Sequence, residues 1–371
     1  MNKSNFLKAE NLRHEFHKHP ELSCEEVWTK GHIIEFLRNN TSLEVVDCGE
    51  FLYAVYRASD VENSAIAFRA DFDALPIEDE IDKPYRSEIP GVGHKCGHDG
   101  HTASLCGLAL ELEELKPERD VYLIFQHAEE TGGGARVCRQ VLLDHPEISE
   151  IYGYHNMPGL KEGTIYVAKD VSNCASKGMS VFLKGTPTHA SQPELGKNPA
   201  FAFADIIKAI PELIRPEGHK GLLLCTIVQV DIGDCAFGVS ASDGVLRMTI
   251  RAEYENEMNE LQSAIETLAG KLACEGGFEV RFEYQDEFPE TRNEAKAVEK
   301  VLNACSRLGY ETFVADKPIR GSEDFGEYLK VVPGAFMFVG AGEDAPAFHT
   351  SAFDFNDRLI EYTVEMSKAL I

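Results

Sequence analysis

Two patterns share this chain, and together they limit the folds it can adopt. From the N-terminus to about residue 170, short runs rich in β-branched and aromatic residues alternate with helix-length amphipathic stretches. Strands are expected at 53–56, 65–69, 121–126 and 151–154, with helices at 5–17, 26–38, 102–115 and 134–143. Such alternation builds an α/β layer with a largely parallel sheet. From about residue 177 the order becomes strand 179–183, helix 199–214, strands 223–232 and 245–254, helix 258–274 and strand 279–284. That order is the split βαβ arrangement of a ferredoxin-like unit. A helix at 293–308 and a strand at 335–340, apolar on both faces, then resume the first pattern. The expected fold is therefore α/β in two domains. A mixed, mostly parallel α/β domain at 1–174 and 286–371 is interrupted by a ferredoxin-like α+β insertion at 175–285. A length of 371 residues, more than one core usually supports, agrees with this.

Charge and composition narrow the partners. Lys and Arg number 36 against 62 Asp and Glu, a net charge of −26, which argues against a nucleic-acid backbone or an anionic membrane surface. With 43% hydrophobic and 26% charged residues, the chain can bury a sizeable core and is not disordered overall. No apolar run approaches the roughly 18 residues of a membrane span. The start, Met1-Asn2-Lys3-Ser4-Asn5-Phe6, lacks an apolar signal region, so a cytoplasmic location is expected. The ten cysteines, scattered without paired spacing, read as mostly buried apolar residues of a reducing compartment, apart from any that serve a metal.

Chemistry collects first in His94-Lys95-Cys96-Gly97-His98-Asp99-Gly100-His101, just ahead of a helix. Cys96 and His98 are two apart, so an extended backbone would project both to one side, and Gly97 lets the chain bend around an ion. Thiolate and imidazole favour zinc and similar transition metals. A polar loop capping the helix with Asp99 is the alternative. Next, the apolar run ending in Phe125-Gln126-His127-Ala128-Glu129-Glu130 precedes Thr131-Gly132-Gly133-Gly134. Adjacent glutamates at a strand end point in different directions, so one can bind a metal while the other handles a proton. His155 stands where another strand is expected to stop, Asp71 and Asp73 follow a third, and His349 follows the 335–340 strand. Open α/β sheets place ligands at the carboxyl ends of their strands. This recurrence points to a metal site built from Cys96, His98, Glu130, His155 and His349.

The chain resembles the amidohydrolase branch of the aminoacylase and carboxypeptidase superfamily of two-metal hydrolases, which includes hippurate hydrolases, N-acyl-amino-acid amidohydrolases and indole-acetyl-amino-acid hydrolases. The resemblance rests on His17-Lys18-His19-Pro20-Glu21-Leu22, Arg69-Ala70-Asp71-Phe72-Asp73-Ala74-Leu75-Pro76, Cys96-Gly97-His98-Asp99-Gly100-His101, Ala128-Glu129-Glu130, the stretch 185–193 around His189, and Ser322-Glu323-Asp324-Phe325. These motifs span nearly the whole chain in the family's order. The resemblance implies two divalent ions, zinc, manganese or nickel, held by Cys96, His98, Glu130, His155 and His349, with the Cys96 thiolate shared. It implies Glu129 as general base, Asp73 as a carboxylate orienting the metal site, and Asp71 where related peptidases have a metal-binding histidine. The insertion would be a lid and dimerisation domain of a homodimer, and His189 would reach the partner's active site to stabilise the oxyanion. His189 could equally be a loop residue with no catalytic role. Two departures stand out: His127 replaces the usual proline before Ala128-Glu129-Glu130, and 236–241 lacks the family's Asn and Pro. Arg251, in Thr249-Ile250-Arg251, is a candidate to clasp a substrate carboxylate, or else a structural ion-pair partner.

Three functions follow: hydrolysis of N-acyl amino acids, dipeptidase or aminopeptidase activity of the same superfamily, or a metal-binding module without catalysis. Glu129, an unliganded base beside a ligand, opposes the last. A nucleotide-binding enzyme is weaker still, because Gly132-Gly133-Gly134 lacks the spacing and the Lys-Ser/Thr of a phosphate loop.

Overall fold

The computed structural model describes residues 1–59 and 64–371. The chain divides into two compact units, one of Met1–Ser172, Thr291–Pro318 and Asp324–Ile371, the other of Asn173–Glu290 and Ile319–Glu323.

The first unit is built on an eight-stranded sheet in the order Glu44–Asp47, Leu52–Tyr56, Val121–Gln126, Ala65–Asp71, Ile148–Pro158, Gly334–Gly342, Ile165–Ala168, Thr312–Ala315. The central neighbours Val121–Gln126, Ala65–Asp71, Ile148–Pro158 and Gly334–Gly342 run parallel. Antiparallel pairs flank them, at Leu52–Tyr56 on one side and Ile165–Ala168 on the other. Val121–Gln126 and Ala65–Asp71 are buried at every residue, as strands covered on both faces must be. The covering helices include Lys3–Lys18, Val27–Asn40, His98–Leu115, Ala295–Leu308 and Leu359–Leu370. Phe16, Leu37, Leu108, Val301 and Val364 pack into one core with Phe68, Leu123 and Val339 of the sheet.

His98–Leu115 starts four residues earlier than the sequence suggests. Its N-cap is Gly97, at φ 103°, so the helix begins directly at a left-handed residue. Asp99 therefore lies inside the first turn rather than capping it. The expected helix 134–143 is broken into Gly134–Cys138 and Gln140–Asp144.

The second unit has a four-stranded antiparallel sheet in the order Leu223–Ile232, Asp243–Ala252, Ala175–Lys184, Glu279–Phe288. Numbered along the chain, that is strand order 2-3-1-4, the ferredoxin-like arrangement. Met179, Val181 and Leu183 alternate inward with Leu246, Met248 and Ile250. They meet Phe203, Ile206 and Ile210 of helix Ala200–Leu213 and Leu261, Ile265 and Ala269 of helix Glu255–Gly276.

All ten cysteines are unpaired. Cys24, Cys48, Cys235 and Cys274 are exposed, so burial is less general than the sequence suggested. Among the described residues, no helix is long and apolar enough to cross a membrane.

Candidate metal centre

The first unit brings Cys96, His98, Glu130, His155 and His349 together although they come from separate parts of the chain. Ligand atoms of Cys96, His98 and His155 lie within 4.8 Å of one another, as do those of Cys96, Glu130 and His349. Cys96 belongs to both groups. It sits just before the bend at Gly97 rather than in an extended segment, and His98 opens the helix. A side chain on Gly97 would place its Cβ 2.4 Å from Asn156 Oδ1, so the bend tolerates only glycine.

His155 lies within Ile148–Pro158 rather than where a strand stops. Its Nδ1 is 2.7 Å from the Asn156 carbonyl oxygen and its Nε2 is 3.3 Å from Cys96 Sγ. An imidazole that donates from Nδ1 presents its Nε2 lone pair. Burial, with His101 and His98 nearby, pushes its pKa well below the usual range and keeps it neutral. His98 Nδ1 contacts Asp73 Oδ1 at 3.0 Å. His98 Nε2 and Glu130 Oε1 are buried with no hydrogen-bond partner.

The two glutamates are in the turn after Val121–Gln126, not in the strand, and their carboxylates converge rather than diverge. Glu129 Oε2 is 3.8 Å and Glu130 Oε1 3.9 Å from His98 Nε2. His349 Nε2 is 3.5 Å from the same Glu130 oxygen. Burial, then Glu130, Glu129 and Asp71, push the Cys96 thiol well up. Burial alone would lower His98, but Asp71, Asp73 and Glu130 outweigh it and hold its pKa up to about 10. So much buried negative charge must be balanced, either by protons on Cys96 and His98 or by a cation.

The third histidine of the motif is engaged elsewhere. His101 contacts Asp71 through Nδ1 and Asn156 through Nε2, both at 2.6 Å. Asp71 also takes Arg69 at 2.6 Å, and Arg69 reaches Asp324 at 2.8 Å. Burial raises Asp324 to about 6 against the pull of Arg69. Asp73 accepts from Ser23 Oγ at 2.7 Å and from the Glu130 N–H at 3.0 Å, besides meeting His98. His127, the departure from the family pattern, stacks on Phe51 and is not in these groups.

In the second unit, His189 is exposed on the short strand Thr188–His189, its Nδ1 2.7 Å from Ser191 Oγ. Arg251 Nη1 donates to the Arg320 carbonyl oxygen and, at 2.9 Å, to Ser322 Oγ.

Sequence reasoning missed a buried ionic network behind the motif. Asp99 Oδ2 is 2.9 Å from Arg13 Nε and 2.7 Å from His17 Nδ1, and His17 Nε2 is 3.1 Å from Asp79. Asp79 in turn holds Lys95. Also missed was Glu26, buried and accepting from the Ala128 N–H at 2.8 Å. A pair of acidic residues, Glu25-Glu26, at the start of a helix gives no sign of this in the sequence.

Residues 67–371 match the peptidase family M20/M25/M40. N-acetylcysteine deacetylase of Bacillus subtilis is 30% identical over 356 residues, covering 94% of this chain and 92% of that protein. N-acetyldiaminopimelate deacetylase of Exiguobacterium sibiricum is 28% identical, covering 96% and 97%. A Bacillus subtilis structure described as a dinuclear metal binding peptidase from the M20 family superposes with a TM-score of 0.83 at 27% identity, covering 100% of this chain and 98% of that one. A structure from methicillin resistant Staphylococcus aureus reaches 0.91 at 26% identity, covering 99% and 96%. The chain belongs to the M20/M25/M40 peptidase family, in its amidohydrolase branch.

Proposed function

We propose that this protein is a metal-dependent amidohydrolase that releases the acyl group from N-acyl amino acids. The observation carrying this is the pair of ligand groups that share Cys96, one buried throughout and the other opening to solvent at His349, with Glu129 beside them. His98 Nε2 and Glu130 Oε1, buried without a hydrogen-bond partner, fit a cation, and the Cys, His and carboxylate donors suit zinc, manganese or nickel. One ion would be held by Cys96, His98 and His155, the other by Cys96, Glu130 and His349. Bound there, two divalent ions supply Lewis acidity that polarises an amide carbonyl and makes a water acidic.

Glu129 takes the proton of the attacking water and returns it to the departing amine nitrogen. Asp73 keeps His98 and the Glu130 main chain in place through its two oxygens. His189 donates to the developing oxyanion of the partner subunit's site, and Arg251 clasps the substrate carboxylate. The assembly is a homodimer formed along the edge strand Leu223–Ile232, where Ile227, Val228 and Val230 are exposed. The protein works in the cytoplasm.

That two relatives are named deacetylases supports an acylated rather than an unblocked substrate. The test compares hydrolysis of N-acetyl and N-benzoyl amino acids with that of unblocked dipeptides, before and after chelation. Preference for the dipeptides selects the peptidase alternative, and activity that survives full chelation removes the metal mechanism.

A further inference from the structure

Lys95 adjoins Cys96 yet plays no part in the chemistry above. Its side chain is wholly buried, at 0% exposure. Nζ pairs with Asp79 and donates to the Phe353 carbonyl oxygen at 2.9 Å. The Lys95 carbonyl oxygen accepts from the His349 N–H, also at 2.9 Å. One residue therefore grips both ends of 349–353, by main chain at His349 and by side chain at Phe353. Asp79 is anchored independently, by His17 Nε2 at 3.1 Å and the Ser87 N–H at 2.8 Å. From the same segment, the Glu80 N–H donates to the Ser351 carbonyl oxygen at 3.0 Å.

His349 needs such a grip. Its φ is 58°, a left-handed conformation that a residue with a Cβ adopts stably only when its surroundings hold it. Its imidazole is about half exposed, so packing does little to fix it. A buried lysine is costly to desolvate even when paired, and a main chain needing only one hydrogen bond does not call for it.

We propose that Lys95 is a positioning residue for the second ion, clamping the His349 segment to the Cys96 segment so that Cys96, Glu130 and His349 close on one cation. This rests on the two-ion reading above. The first group, Cys96, His98 and His155, contains no member of 349–353, so a grip on that segment bears on the second ion.

The experiment strips metal from the full-length protein, titrates zinc ion by calorimetry, and counts zinc per chain after gel filtration. Wild type is expected to bind two ions. Lys95→Met should keep the tighter ion with its affinity unchanged and weaken the second by about tenfold to a hundredfold, the usual effect of removing a group that orients a ligand. A lone Asp79 carboxylate left buried could unfold that variant. The double variant Lys95→Met, Asp79→Asn removes both charges together and is read in the same way. Unfolding temperature of the metal-free proteins is recorded alongside. Two ions bound with wild-type affinities, whether or not the unfolding temperature falls, show that Lys95 is only structural and overturn the proposal while sparing the two-ion reading. Fewer than two ions on wild type overturns both.

Discussion

Asp73 Oδ1 lies 3.0 Å from His98 Nδ1, and this contact decides what the imidazole offers on its other side. In its neutral form, which a cation would impose, a ring donating from Nδ1 keeps a lone pair on Nε2, the atom that is buried without a hydrogen-bond partner. The second oxygen of Asp73 holds the Glu130 N–H, so one carboxylate orients two candidate ligands at once. Asp73→Ala should therefore weaken metal binding about tenfold to a hundredfold, read by competition with a chromophoric chelator. Unchanged affinity would reduce Asp73 to a role in packing.

The turn 127–131 brings Glu129 and Glu130 to similar distances from His98, so geometry alone does not separate base from ligand. Their substitution does. Glu129→Gln should keep the metal content while lowering turnover by about 10²–10⁴-fold, and Glu130→Gln should lower metal content first. Exchanged phenotypes would exchange the roles.

Much of the fold was legible because hydrophobic period is a local signal. Val121–Gln126 falls where the apolar run lies, and the strand and helix order of the ferredoxin-like unit can be read directly. The short strands Glu44–Asp47, Ile165–Ala168 and Thr312–Ala315 lie at or next to the edges of the sheet, where few residues need be apolar, and they and helix Leu359–Leu370 went unread. Within the site, Cys96 and His98 announced themselves by crowding. That they meet His349 depends on parallel pairing of Gly334–Gly342 with Ile148–Pro158, which no spacing encodes. The Arg13, His17, Asp79 and Lys95 network was hidden for a related reason: charged residues in a sequence read as surface until a fold buries them.

Glu26 gives the site a pH-dependent support. Burial, then the charge of Asp73, raises its carboxyl from 4.5 to about 7. Between those values the folded protein binds more protons than the unfolded chain, so this contribution is complete below about 4.5 and is lost as pH rises through about 7. Glu26→Gln keeps an acceptor for the Ala128 N–H but cannot titrate. Chemical denaturation at pH 5 and pH 8 should show the variant gaining on wild type at the higher pH. An equal difference at both would mean that Glu26 does not titrate there.

Gly97 is the hinge on which Cys96 and His98 turn. An L-residue in the left-handed region costs about 1–2 kcal/mol, and here its Cβ would also strike Asn156. Gly97→Ala should lower both the unfolding temperature and the number of ions bound. A variant that keeps both would show that the bend relaxes without disturbing the ligands.

His189 is a further candidate, and its exposure is what a residue serving another subunit requires. If it donates to the oxyanion, His189→Ala should lose about 10²–10³-fold in turnover with little change in metal content. Mixing chains carrying Glu129→Gln with chains carrying His189→Ala separates action within a subunit from action across the dimer. In a hybrid, one site then has both an intact Glu129 and an intact partner His189, and activity should reappear. Verified hybrids without recovered activity would exclude action across the dimer. Full activity of His189→Ala alone would exclude the role itself.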